Sequence, residues 1–357
     1  MVTSNPSGAA PRSTWTGKND RAPARASDGA GSSDRAPRPV PFDPELRAAL
    51  ALFKAEIEFE PLGPRTIPSY RERLAESAES LDEVIAGRPV EYEDRVIPGP
   101  PGAPDLTVLV LRPRGGTRRA PGMYAIHGGG MVLGTRFGDS HNLVNAVVDF
   151  GAVVVSVEYR LAPEHPHPAP VDDCYAGLLW TVDHAAELGI DPARLVIRGG
   201  SAGGGLGAAI ALMARDRGGP AVAGQMLICP MIDDRNNTIS TRQFYALGLW
   251  DGGFNETGWT ALLGDARGGP DVPAYAAPAR ATDLEGLPPA FIEVGAAEVF
   301  RDESVDFASR IWAAGGQAEL HVWAGAFHGF SSVMPYAHVS KAALAVRRSW
   351  LARMFAT

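Results

Sequence analysis

The chain has 357 residues, of which 45% are hydrophobic and 21% charged, and a formal net charge of −8. That is enough polypeptide for one large α/β domain with an accessory piece, and the composition is that of an ordinary globular chain. The acidic balance excludes a basic footprint for nucleic acid or an anionic membrane surface, and no apolar run reaches the length of a membrane span. Two cysteines, Cys174 and Cys229, sit in apolar surroundings and are expected as buried free thiols. Nothing in them requires an oxidising compartment, and a cytoplasmic location is the expectation.

Residues 1–39 are rich in Ser, Ala, Gly, Pro and Arg with almost no large aliphatics, so they are expected to stay a disordered tail. They lack the apolar core of a secretory signal, and Asp20, Asp28 and Asp34 argue against a transit peptide. Asp43-Pro44 then predicts an N-cap and first helical position, with Leu46, Leu50, Phe53 and Ile57 on one face. Ser69 with Glu72 predicts a capping box for a second helix carrying Leu74, Leu81 and Val84. Residues 40–90 therefore read as a helical cap over the functional end of the main domain, or alternatively as an ordinary helical layer on its sheet.

Strands are expected at 91–97, 106–111, 123–126, 152–157, 195–197, 225–229, 290–294 and 319–323. Helices are expected at 142–148, 171–188, 206–214, 302–314 and 342–354. Strands alternating with helices of this length predict a mostly parallel eight-stranded sheet flanked by helices over residues 91–357. Residues 230–283 are expected to be an irregular excursion whose Trp250, Phe254 and Trp259 either wall an acyl site or pack the core. There is no internal repeat.

The run from Leu195 to Ala214 reads as a strand, a tight Gly199-Gly-Ser-Ala-Gly turn and a helix, which together make a nucleophile elbow presenting Ser201. Gly199 and Gly203 are needed because a Cβ at either would collide with the neighbouring strand or helix or bar the strained backbone. A serine hydroxyl needs a base, and the base an orienting acid. In this topology the order is Ser, acid, His. His321 lies mid-strand and His338 near the start of the last helix, which leaves His328, in a Gly-flanked loop just past a strand end, as the base. Glu298 follows the preceding strand and is the preferred acid, with Asp302 and Glu303 as rivals explained by a helix N-terminus. The glycines after His127 free their amides for an oxyanion, so Gly128, Gly129 and Ala202 are the expected donors and His127 a brace for that loop. His165 and His167 flank a proline with no third ligand near in sequence, so no metal site is expected, and there is neither a phosphate loop nor a dinucleotide fingerprint.

With these residues in place, the chain resembles the bacterial hormone-sensitive-lipase-like (family IV) esterases of the α/β-hydrolase fold. The resemblance runs from about Glu91 to the C-terminus, more weakly through the cap. Its landmarks are His127-Gly-Gly-Gly, Tyr159-Arg-Leu-Ala-Pro-Glu-His, Gly199-Gly-Ser-Ala-Gly-Gly, Phe300-Arg-Asp-Glu and His328-Gly-Phe. It implies a serine carboxylesterase acting on short- to medium-chain acyl esters, a mobile N-terminal cap, no cofactor, and often a homodimer paired at the last strand. A deacetylase or lactonase would use the same three residues. A non-catalytic ligand receptor of this fold would have lost the histidine that is present here as His328. Two positions depart from the family pattern: Gly200 stands where Asp or Thr is usual, and Glu298 where Asp is usual.

Overall fold

The structure, a computed structural model, describes residues 37–56 and 60–356. The expected tail up to residue 36, Ile57 and the side chain of Phe53 lie outside the described residues. Asp43 caps α1 (Pro44–Glu56) as expected, its Oδ1 accepting from the amides of Glu45 and Leu46 at 2.9 and 3.1 Å. Leu46 and Leu50 are buried against Ala326, Phe327 and Phe330.

The second helix departs from expectation. α2 (Ile67–Ser77) starts after Thr66 with Pro68 in its first turn, so Ser69 is already inside the helix and its hydroxyl donates back to the Thr66 carbonyl. The capping box belongs instead to Ser80 and Glu83, which open a separate α3 (Leu81–Ile85). Leu81 and Val84 are buried on α3, whereas Leu74 on α2 is 48% exposed. Proline decided between two equivalent Ser-x-x-Glu patterns, because its fixed φ and missing N–H favour the first helical turn.

The sheet is built from β1 (Val90–Ile97), β2 (Leu106–Pro113), β3 (Ala120–Ile126), β4 (Val153–Glu158), β5 (Ile190–Gly200), β6 (Gly224–Ile228), β7 (Ala290–Gly295) and β8 (Ala318–Trp323). Their order is β1-β2-β4-β3-β5-β6-β7-β8, antiparallel at β1–β2 and β2–β4 and parallel from β4 onward. β1 is buried only at Val90 and Ile97 and alternates half-buried and exposed residues between them, as an edge strand does, while the valine-rich β4 is buried along nearly its whole length. Six neighbouring parallel strands thus end on one side, and the loops leaving them carry every residue singled out above for chemistry.

Between the strands run α4 (Ser140–Phe150), α5 (Ala169–Asp183), the short α6 (Ala185–Leu188) and α7 (Ala202–Asp216). The single helix expected at 171–188 is interrupted at His184, which leaves helical geometry with ψ 14°. The excursion after β6 folds into α8 (Ile239–Gln243), α9 (Gly252–Leu263) and two short 3₁₀ turns; α10 (Arg301–Ala313), α11 (Phe330–Val333) and α12 (His338–Ala356) complete the chain. Cys174 and Cys229 are both free and buried. No helix among the described residues is long and apolar enough to cross a membrane.

The turn between β5 and α7 holds Ser201 at φ 55°, ψ −121°, a strained backbone for a residue with a side chain. Its two flanking glycines are sterically obligatory. A Cβ on Gly199 would lie 2.0 Å from the Gly203 carbonyl oxygen, and one on Gly203 would lie 2.1 Å from that of Ile126. Gly203→Ala is accordingly expected to lower stability by about 1–3 kcal/mol, read as a lower urea midpoint at unchanged slope.

Candidate active site

At the carboxyl end of β5, Ser201 Oγ lies 3.0 Å from His328 Nε2. On the far side of the ring, His328 Nδ1 lies 2.5 Å from Glu298 Oε2. Three residues separated by up to 127 positions thus form one hydrogen-bonded line. The other carboxylate oxygen of Glu298 accepts from the Gly295 amide at 2.6 Å, so the longer side chain folds back over its own turn to reach the ring. A Cβ on Gly295 would sit 2.1 Å from the Ala326 carbonyl oxygen, which is how the β7 and β8 loops come close enough to meet.

The rival acids are engaged elsewhere. Asp302 accepts from the Ser240 amide at 2.7 Å and pairs with Arg301. Glu303 is buried and accepts from the amides of Ile232 and Asp233; burial, with Asp233 close by, pushes its carboxyl well above the usual range, toward the neutral form. His321 hydrogen-bonds Glu319 on β8 and stacks on Trp323, and His338 meets Glu45 of α1.

The loop after β3 faces Ser201. Among the hydrogen bonds between described residues, none is donated by the amides of Gly128 or Gly129, and Ala202 opens α7, where its amide precedes the helical ladder. These N–H groups are therefore free to meet an oxygen that becomes anionic above Ser201. His127 braces the loop: its ring stacks on Tyr159 with centroids 4.1 Å apart, and its Nδ1 meets the Gly128 carbonyl at 2.8 Å. The Tyr159 hydroxyl donates to the His127 carbonyl, and the neighbouring Arg160 is locked onto the fully buried Asp173 by three hydrogen bonds. Burial lowers the pKa of His127, which keeps its ring neutral.

For His328, burial works against the imidazolium, but the neighbouring Cys229 and the carboxylate of Glu298, hydrogen-bonded to Nδ1, act the other way. Its pKa is raised above the ordinary imidazole value. Cys229 comes from the end of β6, and its sulfur lies within 4.8 Å of the ligand atoms of Glu298 and His328. Sequence reading treated it only as a buried thiol; the signal available was its place at a strand end level with the elbow.

A cavity of about 460 Å³ contains Ser201, His328 and the Gly128–Gly129 edge and is flanked by Leu74 of α2 and Leu249. From the excursion after β6, Leu249 lines this cavity, whereas Trp250, Phe254 and Trp259 do not. Trp250 lies 6.4 Å from the His328 ring, and a Cβ on Gly130 would strike its indole, whereas Trp259 is fully buried core. Arg71 of α2 donates to the Val132 and Ala162 carbonyls and forms a bidentate pair with Glu164.

A largely parallel sheet with serine at an elbow, histidine past the last strand and an acid past the strand before it defines an α/β hydrolase. A family model described as the alpha/beta hydrolase fold matches residues 123–332. The carboxylic ester hydrolase LipN of Mycobacterium tuberculosis is 37% identical over 254 residues, covering 68% of this chain and 64% of that protein. The carboxylesterase NlhH of the same species is 37% identical over 255 residues, covering 70% of this chain and 79% of its own. The solved structure of a bacterial heroin esterase superposes with a TM-score of 0.80 at 37% identity, covering 88% of this chain and 98% of that one. The chain belongs to the hormone-sensitive-lipase-like (family IV) branch of the α/β hydrolases.

Proposed function

We propose that the protein is a serine carboxylesterase acting on small-molecule acyl esters, and the observation that carries this is the unbroken line from Ser201 Oγ through His328 to Glu298. Ser201 attacks the ester carbonyl while His328 takes its proton. The amides of Gly128, Gly129 and Ala202 receive the oxyanion. His328 then returns the proton to the leaving alcohol, and a water activated by the same ring releases the acyl group. Glu298 holds the imidazole tautomer and offsets its charge without taking the proton. Short to medium acyl chains are the proposed range, since a cavity of about 460 Å³ has room beyond an acetyl group. Names of the esterase relatives support the reaction class, and the bond between Nδ1 and Glu298 supports a competent base.

Residues 40–90 are proposed as a cap. Three contacts support this: α1 packs on Phe327 and Phe330 beside His328, Arg71 ties α2 to the loops after β3 and β4, and Leu74 lines the cavity. Pairing of two copies at β8 is supported by its place at the sheet edge, where Val322 is 43% exposed, and analytical ultracentrifugation would test it. The function itself is tested with a short-chain aryl ester and an organophosphate. Turnover should stop as one phosphoryl group attaches to the peptide containing Ser201; attachment elsewhere, or continued turnover after labelling, would refute the reading.

A further inference from the structure

Successive residues of a strand face opposite sides, and on β5 the odd-numbered ones face α7. A Cβ on Gly207 would touch Ile197, and one on Gly199 would strike the Gly203 carbonyl. Arg198 and Gly200 therefore point to the other face, where Asp139 precedes α4 and Arg347 stands on α12. A Cβ built on Gly200 meets nothing within 4 Å, and its φ lies outside the left-handed region. Glycine is thus not required there by the backbone; its effect is to leave space. The cavity holding Ser201 uses that space, continuing past Gly200 to Asp139, Arg198, Glu293 and Arg347.

Arg198 and Arg347 at this end are 6% and 5% exposed, and their guanidiniums are only partly hydrogen-bonded to described residues. Arg198 donates through Nη2 to Asp139. Arg347 donates through Nε to Glu293 at 2.6 Å and through Nη2 to Ser331 Oγ at 2.6 Å. Nε and Nη1 of Arg198 and Nη1 of Arg347 donate to no described residue. The same two side chains wall off a second cavity of about 230 Å³ between α4 and α12, so the chamber ends at them.

We infer that this chamber is a subsite for an acyl chain ending in an uncharged oxygen acceptor, a ketone, ether or hydroxyl, and that Gly200 is the opening through which the chain passes. The inference rests on the ester-hydrolase reading of Ser201. The leaving alcohol must depart past His328 toward solvent, so the closed end takes the acyl side. A hydrocarbon tail would strip water from the spare N–H groups and return nothing. A carboxylate tail fails for a different reason: Asp139 and Glu293 already match the two guanidiniums one for one, so a further buried anion has no surplus cation to meet. A neutral acceptor satisfies the donors without adding charge. Sites built to hydrogen-bond a group discriminate strongly against the analogue that lacks it.

The test compares kcat/KM for p-nitrophenyl acetate, hexanoate, 5-oxohexanoate and the glutarate half-ester, in the native chain and in Gly200→Val. The native chain should favour 5-oxohexanoate over hexanoate by about tenfold or more, with the glutarate half-ester below both. In Gly200→Val the 5-oxohexanoate-to-acetate ratio should drop by about tenfold, and the preference for the ketone over the alkane should vanish. Active-site titration with an organophosphate normalises both proteins, and Gly200→Ala serves as a milder filling if the valine variant does not fold. Equal rates for ketone and alkane in the native chain, preference for the carboxylate, or a ketone preference unmoved by filling position 200 would each overturn the chamber. Absence of acetate turnover in the native chain would instead sink the hydrolase reading, and the subsite with it.

Discussion

Ser201→Ala is expected to leave the fold and its unfolding transition in place while kcat for a short-chain aryl ester falls by about 10⁴-fold or more. The hydroxyl contributes a single packing atom at the cavity surface, and its removal relieves no strain, because the alanine must still adopt φ 55°. What disappears is the only oxygen within hydrogen-bonding reach of His328 Nε2 among the described residues. Residual turnover should come from the amides of Gly128, Gly129 and Ala202 acting on bound ester attacked by water. Stopped-flow release of the aryl alcohol checks both parts, since the burst belonging to an acyl-enzyme should vanish with the slow residual rate still measurable. A variant retaining the burst would place the nucleophile elsewhere.

Glu298→Gln should have the next largest effect, a loss of about 10³- to 10⁴-fold in kcat. An amide at this position removes the charge that offsets the imidazolium and turns an acceptor into a group that also donates, so the wrong ring nitrogen is protonated in part of the population. The pH profile carries the sharper signature. In the native chain the His328 pKa is raised, so kcat/KM is expected to climb with pH on an acid limb displaced above the ordinary imidazole range. Taking away the negative charge of Glu298 lowers that pKa, and the acid limb should move to lower pH even as the plateau falls. Asp302→Asn, whose parent carboxylate faces Ser240 and Arg301, should change neither the plateau nor the limb by more than about twofold. The reverse ranking of the two variants would transfer the orienting role to Asp302.

The capped helix pair shows where reading a sequence falters. Ser69–Glu72 and Ser80–Glu83 are the same local pattern, and only Pro68 separates them, by fixing where α2 begins. Taken as one helix, residues 69–84 would have put Leu74, Leu81 and Val84 on a shared stripe. As two helices, they send Leu81 and Val84 into the core and leave Leu74 free to line the cavity. Trp250 and Trp259 give a second example: nine residues apart in one excursion, one stands beside His328 and the other is fully buried. Nothing local distinguishes them, because their surroundings are supplied by distant strands.

The sequence by itself determined the elbow, the order of serine, acid and histidine, and the bare amides after β3. The elbow and the amides follow from short-range constraints, a Gly199 whose Cβ would strike the Gly203 carbonyl, a strand end followed by a turn and a glycine run with no side chains, while the order follows from the succession of strands. Only the tertiary structure decided which of three neighbouring acids meets His328, since Glu298, Asp302 and Glu303 differ by a single turn of chain and point to different partners. It alone also brought Cys229 beside the imidazole and assembled Asp139, Arg198, Glu293 and Arg347 behind Gly200. Those groups come from separate strands, a loop and the final helix, and electrostatic fields act through space rather than along the chain, so their balance exists only once the sheet has brought them together.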